Sequence, residues 1–438
     1  MKYKALQAKK AFVAGKFVAG IDPGKKKQQI CLNNPQGLHA QPFRVDNSYS
    51  GYHDELWRKL KALLPEESHQ DCVFAIETSC NLWQNLAHYL HRTGHTVVLV
   101  SPLTTYQSRP LIGHSFSHTD PKDALLMANN AQSGYFDRYQ PYDAGINAMH
   151  ELAMIYAKNR QSLLQHRLRT RAYVEYVFPE FFQVVDLDTV TARFLLKEYF
   201  LPQHYLGLDI EVVGAQLAQL SNRQYGVETL RQLKLRAQHS IGIPKSPIEE
   251  TAGRLALESW ITVEEYLRAQ QQKILNTLLL LAKATPYFEI LASLKGIGEV
   301  LAALFIAETR DLAAYSHYKQ IEKLAGFNLR LIESGNYSAR KRISHIGNAR
   351  LAWVLYKMVE ETAKYVPEVR IKFIKRQLHE PRYRKNLIAC VPVLLSLIMS
   401  MVKRGGGYEV RPEKVKELNK LEAQYAKRKK QKTKNRKD

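Results

Sequence analysis

The hydrophobic period of this chain changes near residue 143. From about Lys16 to Gln140, apolar runs of strand length alternate with stretches of helical spacing. From about Asp143 to Thr285 glycine is sparse and only helical spacing persists. A chain with that switch folds as an α/β unit followed by helical ones. Phe17–Asp22 reads as a strand, Pro23-Gly24 as a turn and Gln28–Asn33 as a returning strand. A third strand is expected around Phe43–Val45 and a helix over Tyr52–Leu64, with Leu56, Leu60, Leu63 and Leu64 on one face. Cys72–Glu77 reads as a fourth strand, Asn81–Arg92 as a helix and Thr96–Val100 as a fifth strand.

Three antiparallel strands followed by helix, strand, helix, strand is the order of an RNase H-like domain. In that fold the first and fourth strands are neighbours, so Asp22 and Glu77, which end them, come together. Asp120 and Asp123 sit in His118-Thr-Asp-Pro-Lys-Asp123, where a further helix begins, and their spacing puts both on one face. Two like charges about 4 Å apart repel by about 4 kcal/mol at an effective dielectric near 20. A divalent metal removes that cost and can activate a phosphodiester. Capping competes with this reading: Asp120 before Pro121 is a good N-cap, and Asp123 completes an acidic first turn. Alone, that pair reads as a cap; with two strand-terminal acids ahead of it, the quartet reads as a metal site.

The 438 residues carry a net charge of +23. Lys403–Asp438 hold 14 Lys/Arg against 5 Asp/Glu, a net of +9, which leaves +14 for the rest. Basic character spread along the chain suits a long polyanion gripped at many points. The four cysteines, Cys31, Cys72, Cys80 and Cys390, show no zinc-site gap and suggest a reducing, cytoplasmic compartment. Leu387–Val402 is apolar but short for a membrane span and is interrupted by Pro392, so a buried helix and no membrane are expected.

Beyond residue 143, Met149–Val177 reads as nearly continuous helix, with Arg160, Arg167, Arg169 and Arg171 along it and Phe178-Pro179-Glu180 as its stop. Tyr266–Ala284 reads as another long helix, without a sustained heptad series. Thr285-Pro286 fits an N-cap followed by a first-turn proline. Leu294-Lys-Gly-Ile-Gly298 reads as a tight connection between helices. Gly296 and Gly298 there suit either a phosphate grip of helix-hairpin-helix type or a plain αα-turn. Glu333-Ser334-Gly335-Asn336 and the run from Ser338 to Asn348 form a polar, basic segment in which Arg340, Lys341 and Arg342 can hold phosphates. No dedicated base for Ser334 is evident, and on spacing alone it reads as a turn residue. The expected units are 1–145 (α/β, catalytic), 146–284 (helical arm for dimerisation and nucleic-acid contact), 285–404 (helical, with the serine motif) and 405–438 (a basic, disordered tail).

These segments, in this order, resemble the DEDD transposases of the insertion-sequence family numbered one hundred and ten and the related Piv-type DNA invertases. Phe17-Val-Ala-Gly-Ile-Asp22, Ala75-Ile-Glu-Thr78 and Thr119-Asp-Pro-Lys-Asp-Ala124 are similar to the segments carrying the family's acidic quartet. Val177-Phe-Pro-Glu180 falls where its long helix ends. Leu294–Gly298 and Ser334-Gly335 through Ile343-Ser-His-Ile-Gly-Asn348 are similar to its C-terminal hairpin and serine motif. The resemblance extends to about residue 404. It implies a RuvC-like domain that binds magnesium through Asp22, Glu77, Asp120 and Asp123, and a helical domain whose serine, here Ser334, becomes covalently linked to DNA. It also implies a homo-oligomer, dimer or tetramer, whose active-site halves come from different subunits. A structured noncoding RNA would guide it to donor and target DNA. The family motif often has two serines followed by two glycines; here Ser334 alone adjoins a single glycine, and Ser338 is a rival nucleophile. Two other readings stand beside this one: a RuvC-like metal-dependent endonuclease or junction resolvase without a covalent intermediate, and a non-catalytic nucleic-acid-binding protein.

Overall fold

In the computed structural model, residues 3–79, 81–112, 116–330, 333–334, 337–338 and 342–434 are described. They divide into two compact units, 1–142 and 143–438.

In the first unit, helix α1 (Tyr3–Val13) precedes β1 (Val18–Asp22), β2 (Lys27–Asn33), β3 (Phe43–Asp46), α2 (Leu56–Lys61), β4 (Val73–Glu77), α3 (Gln84–Arg92), β5 (Thr96–Val100), α4 (Pro102–Ser108), α5 (Asp120–Gln132) and β6 (Asp137–Arg138). The strands form one sheet in the order β3-β2-β1-β4-β5-β6. β1, β4 and β5 run parallel; β2, β3 and β6 are antiparallel to their neighbours. The helix expected over Tyr52–Leu64 is shorter, because Gly51–Glu55 forms a wider π turn before α2 begins.

Side-chain alternation divides the sheet into two faces. Ala19, Ile21, Phe74 and Ile76 pack under α2 and α3 with Leu56, Leu60, Leu86 and Leu90. Val18, Val73, Ala75, Val98 and Val100 pack on the other side with Leu126, Met127, Ala128 and Ala131 of α5. Gly20 belongs to that second face. A Cβ there would lie 2.1 Å from the carbonyl oxygen of Ala124 and 2.4 Å from the amide nitrogen of Ala128. Helix α5 therefore rests directly on the backbone of β1. Gly20→Ala is expected to destabilise this unit by about 3 kcal/mol through overpacking, read as a lowered urea midpoint.

The second unit contains α6 (Ala144–Val177), α7 (Val190–Glu198), α8 (Pro202–Leu206), α9 (Ile210–Leu220), α10 (Val227–Gln238), α11 (Pro247–Lys283), α12 (Phe288–Ala292), α13 (Glu299–Thr309), α14 (Tyr318–Leu324), β7 (Leu329–Arg330), β8 (Glu333–Ser334), β9 (Tyr337–Ser338), β10 (Arg342–Ile343), α15 (Ala349–Tyr365), α16 (Pro367–His379), α17 (Tyr383–Ile388), α18 (Val391–Arg404) and α19 (Pro412–Lys434). Asp143 caps α6 through the amides of Gly145 and Ile146, and Ser246 with Glu249 forms a capping box for α11.

Helices α6 and α11 pack antiparallel over about 50 Å, from their lengths and a rise of about 1.5 Å per residue. One end of the pair, with Val174, Val177, Leu257 and Ile261, shares a core with α7–α10. The other end, with Met149, Ala153, Leu278 and Ala282, is part of the core formed by α12–α18. The ends of both helices thus supply core side chains to the helices that follow as well as to α7–α10.

Two further expectations are corrected, and the buried helix expected near residue 390 is observed with a break in it. Thr285-Pro286 does not open a helix: the Thr285 hydroxyl donates back to the Ala282 carbonyl, closing α11, and α12 begins at Phe288. The apolar run near residue 390 is two helices, α17 and α18, with Leu387, Val391, Leu394, Leu395 and Ile398 buried in the core. The C-terminal segment is helical through Lys434 rather than disordered. Arg370 and Lys375 of α16 pair at 2.6 Å with Glu422 and Glu417 of α19, so acids spaced within the basic run dock it.

Candidate active site

The period of the first unit positions its acids. Asp22 has the parity of Val18 and Gly20, and Glu77 that of Val73 and Ala75, so both lie on the α5 face. They follow directly on the last paired residues of the β1–β4 ladder, Ile21 and Ile76. Helix α5 crosses that face with Asp123 buried in its first turn and Asp120 exposed. Thr119 takes the N-cap position without a side-chain capping bond, so Asp120 is the first helical residue and not the cap.

All four carboxylates share one electrostatic environment. Burial pushes the Asp22 carboxyl up to about 6, and the charges of Glu77, Asp123 and Asp120 push the same way, against a smaller opposing effect of His118. Glu77 is also raised, by burial first, with a hydrogen bond from Thr105 of α4 working against it. Asp123 accepts two hydrogen bonds of 3.1 Å from Arg109, one from Nε and one from Nη2. His118 Nδ1 lies 3.0 Å from Asp123 Oδ2. The bond to Asp123 holds the Arg109 guanidinium above its usual range. Exposed Asp120 has Arg44 at 3.8 Å.

The chemistry of the donor set suits a hard divalent cation, since four carboxylates lie within electrostatic reach of one another and, after burial, their repulsion raises Asp22. As placed, no three His, Cys, Asp or Glu side chains among the described residues stand at the separation one ion needs. Arg109 and His118 hold Asp123 in that arrangement. Arg109 and Thr105 were not foreseen from the sequence, because each reaches the cluster through a loop or helix with no shared period. Only His118, two residues before Asp120, lay within the quoted motif.

A raised carboxyl titrates against the fold. Asp22 favours the folded state fully below its ordinary value of 3.8, and that contribution is lost as pH rises through about 6. Metal-free Asp22→Asn should therefore be more stable than the parent at pH 7.5, by on the order of 1–2 kcal/mol after screening. The gap should close near pH 4. A thermal melt in chelator at both pH values checks this, and a gap independent of pH would contradict it.

In the second unit, Ser334 of β8 pairs with Tyr337 of β9, and Glu333 pairs with Ser338. Arg342 and Ile343 of β10 pair with Arg330 and Leu329 of β7, so the serine ladder is nested within an outer one. Arg342 is exposed; Gly335, Asn336, Arg340 and Lys341 lie outside the described residues. Gly296, at φ +104°, turns its bare Cα onto the backbone of Glu361 and Thr362 in α15, which gives this glycine a packing role. Gly298 takes the N-cap position of α13 and faces open space. Cys31, Cys72 and Cys390 are buried free thiols.

Comparison with known proteins bears on both units. A transposase family model of the DEDD type from IS110 elements matches residues 19–183. A second, described as transposase of the IS116/IS110/IS902 family, matches residues 288–372. No curated protein matches the chain. Asp22, Glu77, Asp120 and Asp123 all fall within the first match, and Ser334 within the second. The two matches together cover more than half of the chain, which belongs by both of its domains to the IS110 family of DNA transposases.

Proposed function

We propose that this transposase mobilises an insertion sequence by a two-part active site. One part is the acidic quartet of an RNase H-like, RuvC-like unit; the other is Ser334. The observation that carries the reading is the coupling of Asp22, Glu77, Asp120 and Asp123 on one face of the sheet. The quartet would hold magnesium, which when bound supplies Lewis-acid polarisation of the scissile phosphate. The Ser334 hydroxyl attacks phosphorus and forms a phosphoserine diester. The displaced deoxyribose oxygen leaves with a proton. Attack by a second DNA hydroxyl reverses the step and releases Ser334. The carboxylates also offer a proton acceptor: Asp22, with its pKa near 6, is ionised at pH 7.5.

The resemblance to the family supports further features of this reading. Quartet and serine would come from different copies in a dimer or tetramer. A structured RNA of the element would pair with donor and target DNA. Arg340, Lys341, Arg342, Gly296 and Gly298 would contact nucleic-acid phosphates, in a cytoplasmic setting.

The test is a denaturant-resistant protein–DNA adduct, seen as a shifted band on a denaturing gel and lost in Ser334→Ala. Retention there with loss in Ser338→Ala would move the nucleophile to Ser338. A second reading draws on the quartet being complete within one unit: a nuclease or resolvase that activates water. It requires cleavage by Ser334→Ala at the parental rate with no adduct in either protein.

A further inference from the structure

Glu308 lies in α13 with its side chain 1% exposed. It accepts hydrogen bonds from Arg350 Nε at 2.5 Å, Arg350 Nη2 at 3.1 Å and Asn348 Nδ2 at 2.6 Å. Asn348 is the N-cap of α15, its Oδ1 accepting from the amides of Arg350 and Leu351. It is also the point where the chain returns from the serine ladders. The return path is held by three backbone bonds: the amides of Ser344, His345 and Asn348 donate to the carbonyls of Asn328, Gly326 and Leu324. Gly347 seats on Gly326, where a Cβ would come within 2.4 Å of the Gly326 nitrogen. The strands that carry Ser334 therefore leave and re-enter the helical core through one backbone-on-backbone root, and Glu308 ties that root to α13.

We propose that Glu308 is a positioning residue for Ser334. The inference rests on the reading of Ser334 as nucleophile. A buried ion pair adds little net stability over an apolar one, whereas a forked guanidinium–carboxylate contact fixes orientation. Among the described residues, β8 and β9 lie in sequence between the two strands of the β7–β10 ladder, and that ladder joins the helical core at this root, so the root positions the strands that carry Ser334. A shift of about 1 Å at a reacting atom costs about 10²-fold in rate.

The experiment uses the full chain with DNA carrying the element's end, its transcribed flanking RNA and magnesium. It reads single-turnover adduct formation at saturating DNA, together with the Kd for DNA and the melting temperature. Glu308→Gln should slow adduct formation by about 10- to 100-fold with Kd changed by less than about threefold. Asn348→Ser keeps a capping oxygen for α15 but withdraws the amide from Glu308. It should fold as the parent does and still show slowing of the same order. Variants that melt earlier yet form adduct at the parental rate below their melting temperature overturn the proposal. Adduct retained in Ser334→Ala but slowed in Glu308→Gln would instead overturn the nucleophile assignment and leave the anchor standing.

Discussion

Asp22→Ala is expected to remove recombination, a loss on the order of 10³-fold or more, with nucleic-acid affinity unchanged. Asp22 stands where the β1–β4 ladder ends, and the other three acids all act on its charge. Its removal deletes the oxygen donor that links strand to helix within the quartet. Nothing in the grip on DNA or RNA depends on it, since positive charge is spread over the whole chain. Excision measured in cells, beside a filter-binding curve for the purified protein, separates the two effects. Recombination at the parental rate in this variant would end the catalytic reading of the quartet.

Arg109→Ala has an expected effect of comparable size on stability. Asp123 is 2% exposed and takes two bonds from that guanidinium, and among the described residues its other ion-pair partner is His118. Removing one partner of a buried pair leaves a charge that neither water nor protein compensates, at a cost of about 3–5 kcal/mol. The metal-free first unit should therefore melt well below the parent. Millimolar magnesium should recover most of the loss, because a cation bound by the quartet takes over the role of the guanidinium. The parent should gain less from magnesium, since there the ion must first displace Arg109. Equal gains in the two proteins would show that metal and Arg109 do not compete for Asp123.

Much of the first unit was legible in the sequence because strand period, turn residues and terminal acids agree with one another. Phe17–Asp22 and Cys72–Glu77 each end on an acid of the same parity, and that parity alone puts Asp22 and Glu77 on one face. Helix α5 was legible from its acidic first turn, though Asp120 proved to lie inside the helix and Thr119 at its cap. Arg109 was not legible, since its link to Asp123 spans 14 residues that include no repeating pattern. The end of the chain misled for a related reason. Fourteen basic residues dominate its composition, while the docking of α19 rests on Glu417 and Glu422, whose partners lie 42 and 52 residues upstream. The serine segment was legible by motif only. Its anchor, Glu308, sits in an apolar helix where one carboxylate reads as ordinary.

The contact of α5 with Gly20 has a consequence for which ions the quartet tolerates. Side chains repack when a site must widen, but two backbones already in contact do not draw closer, and a hydrogen atom is the smallest spacer available. The spacing of the main chain beneath the strand acids and buried Asp123 is thus fixed by that contact. Asp120, exposed at the start of the helix, is the acid with the most room to adjust. In a quartet that holds magnesium as proposed, exchange for a larger ion such as calcium would load most of the mismatch onto that residue. The rank order of ions supported by an Asp120→Glu variant, compared with the parent, would then report the length of one side chain.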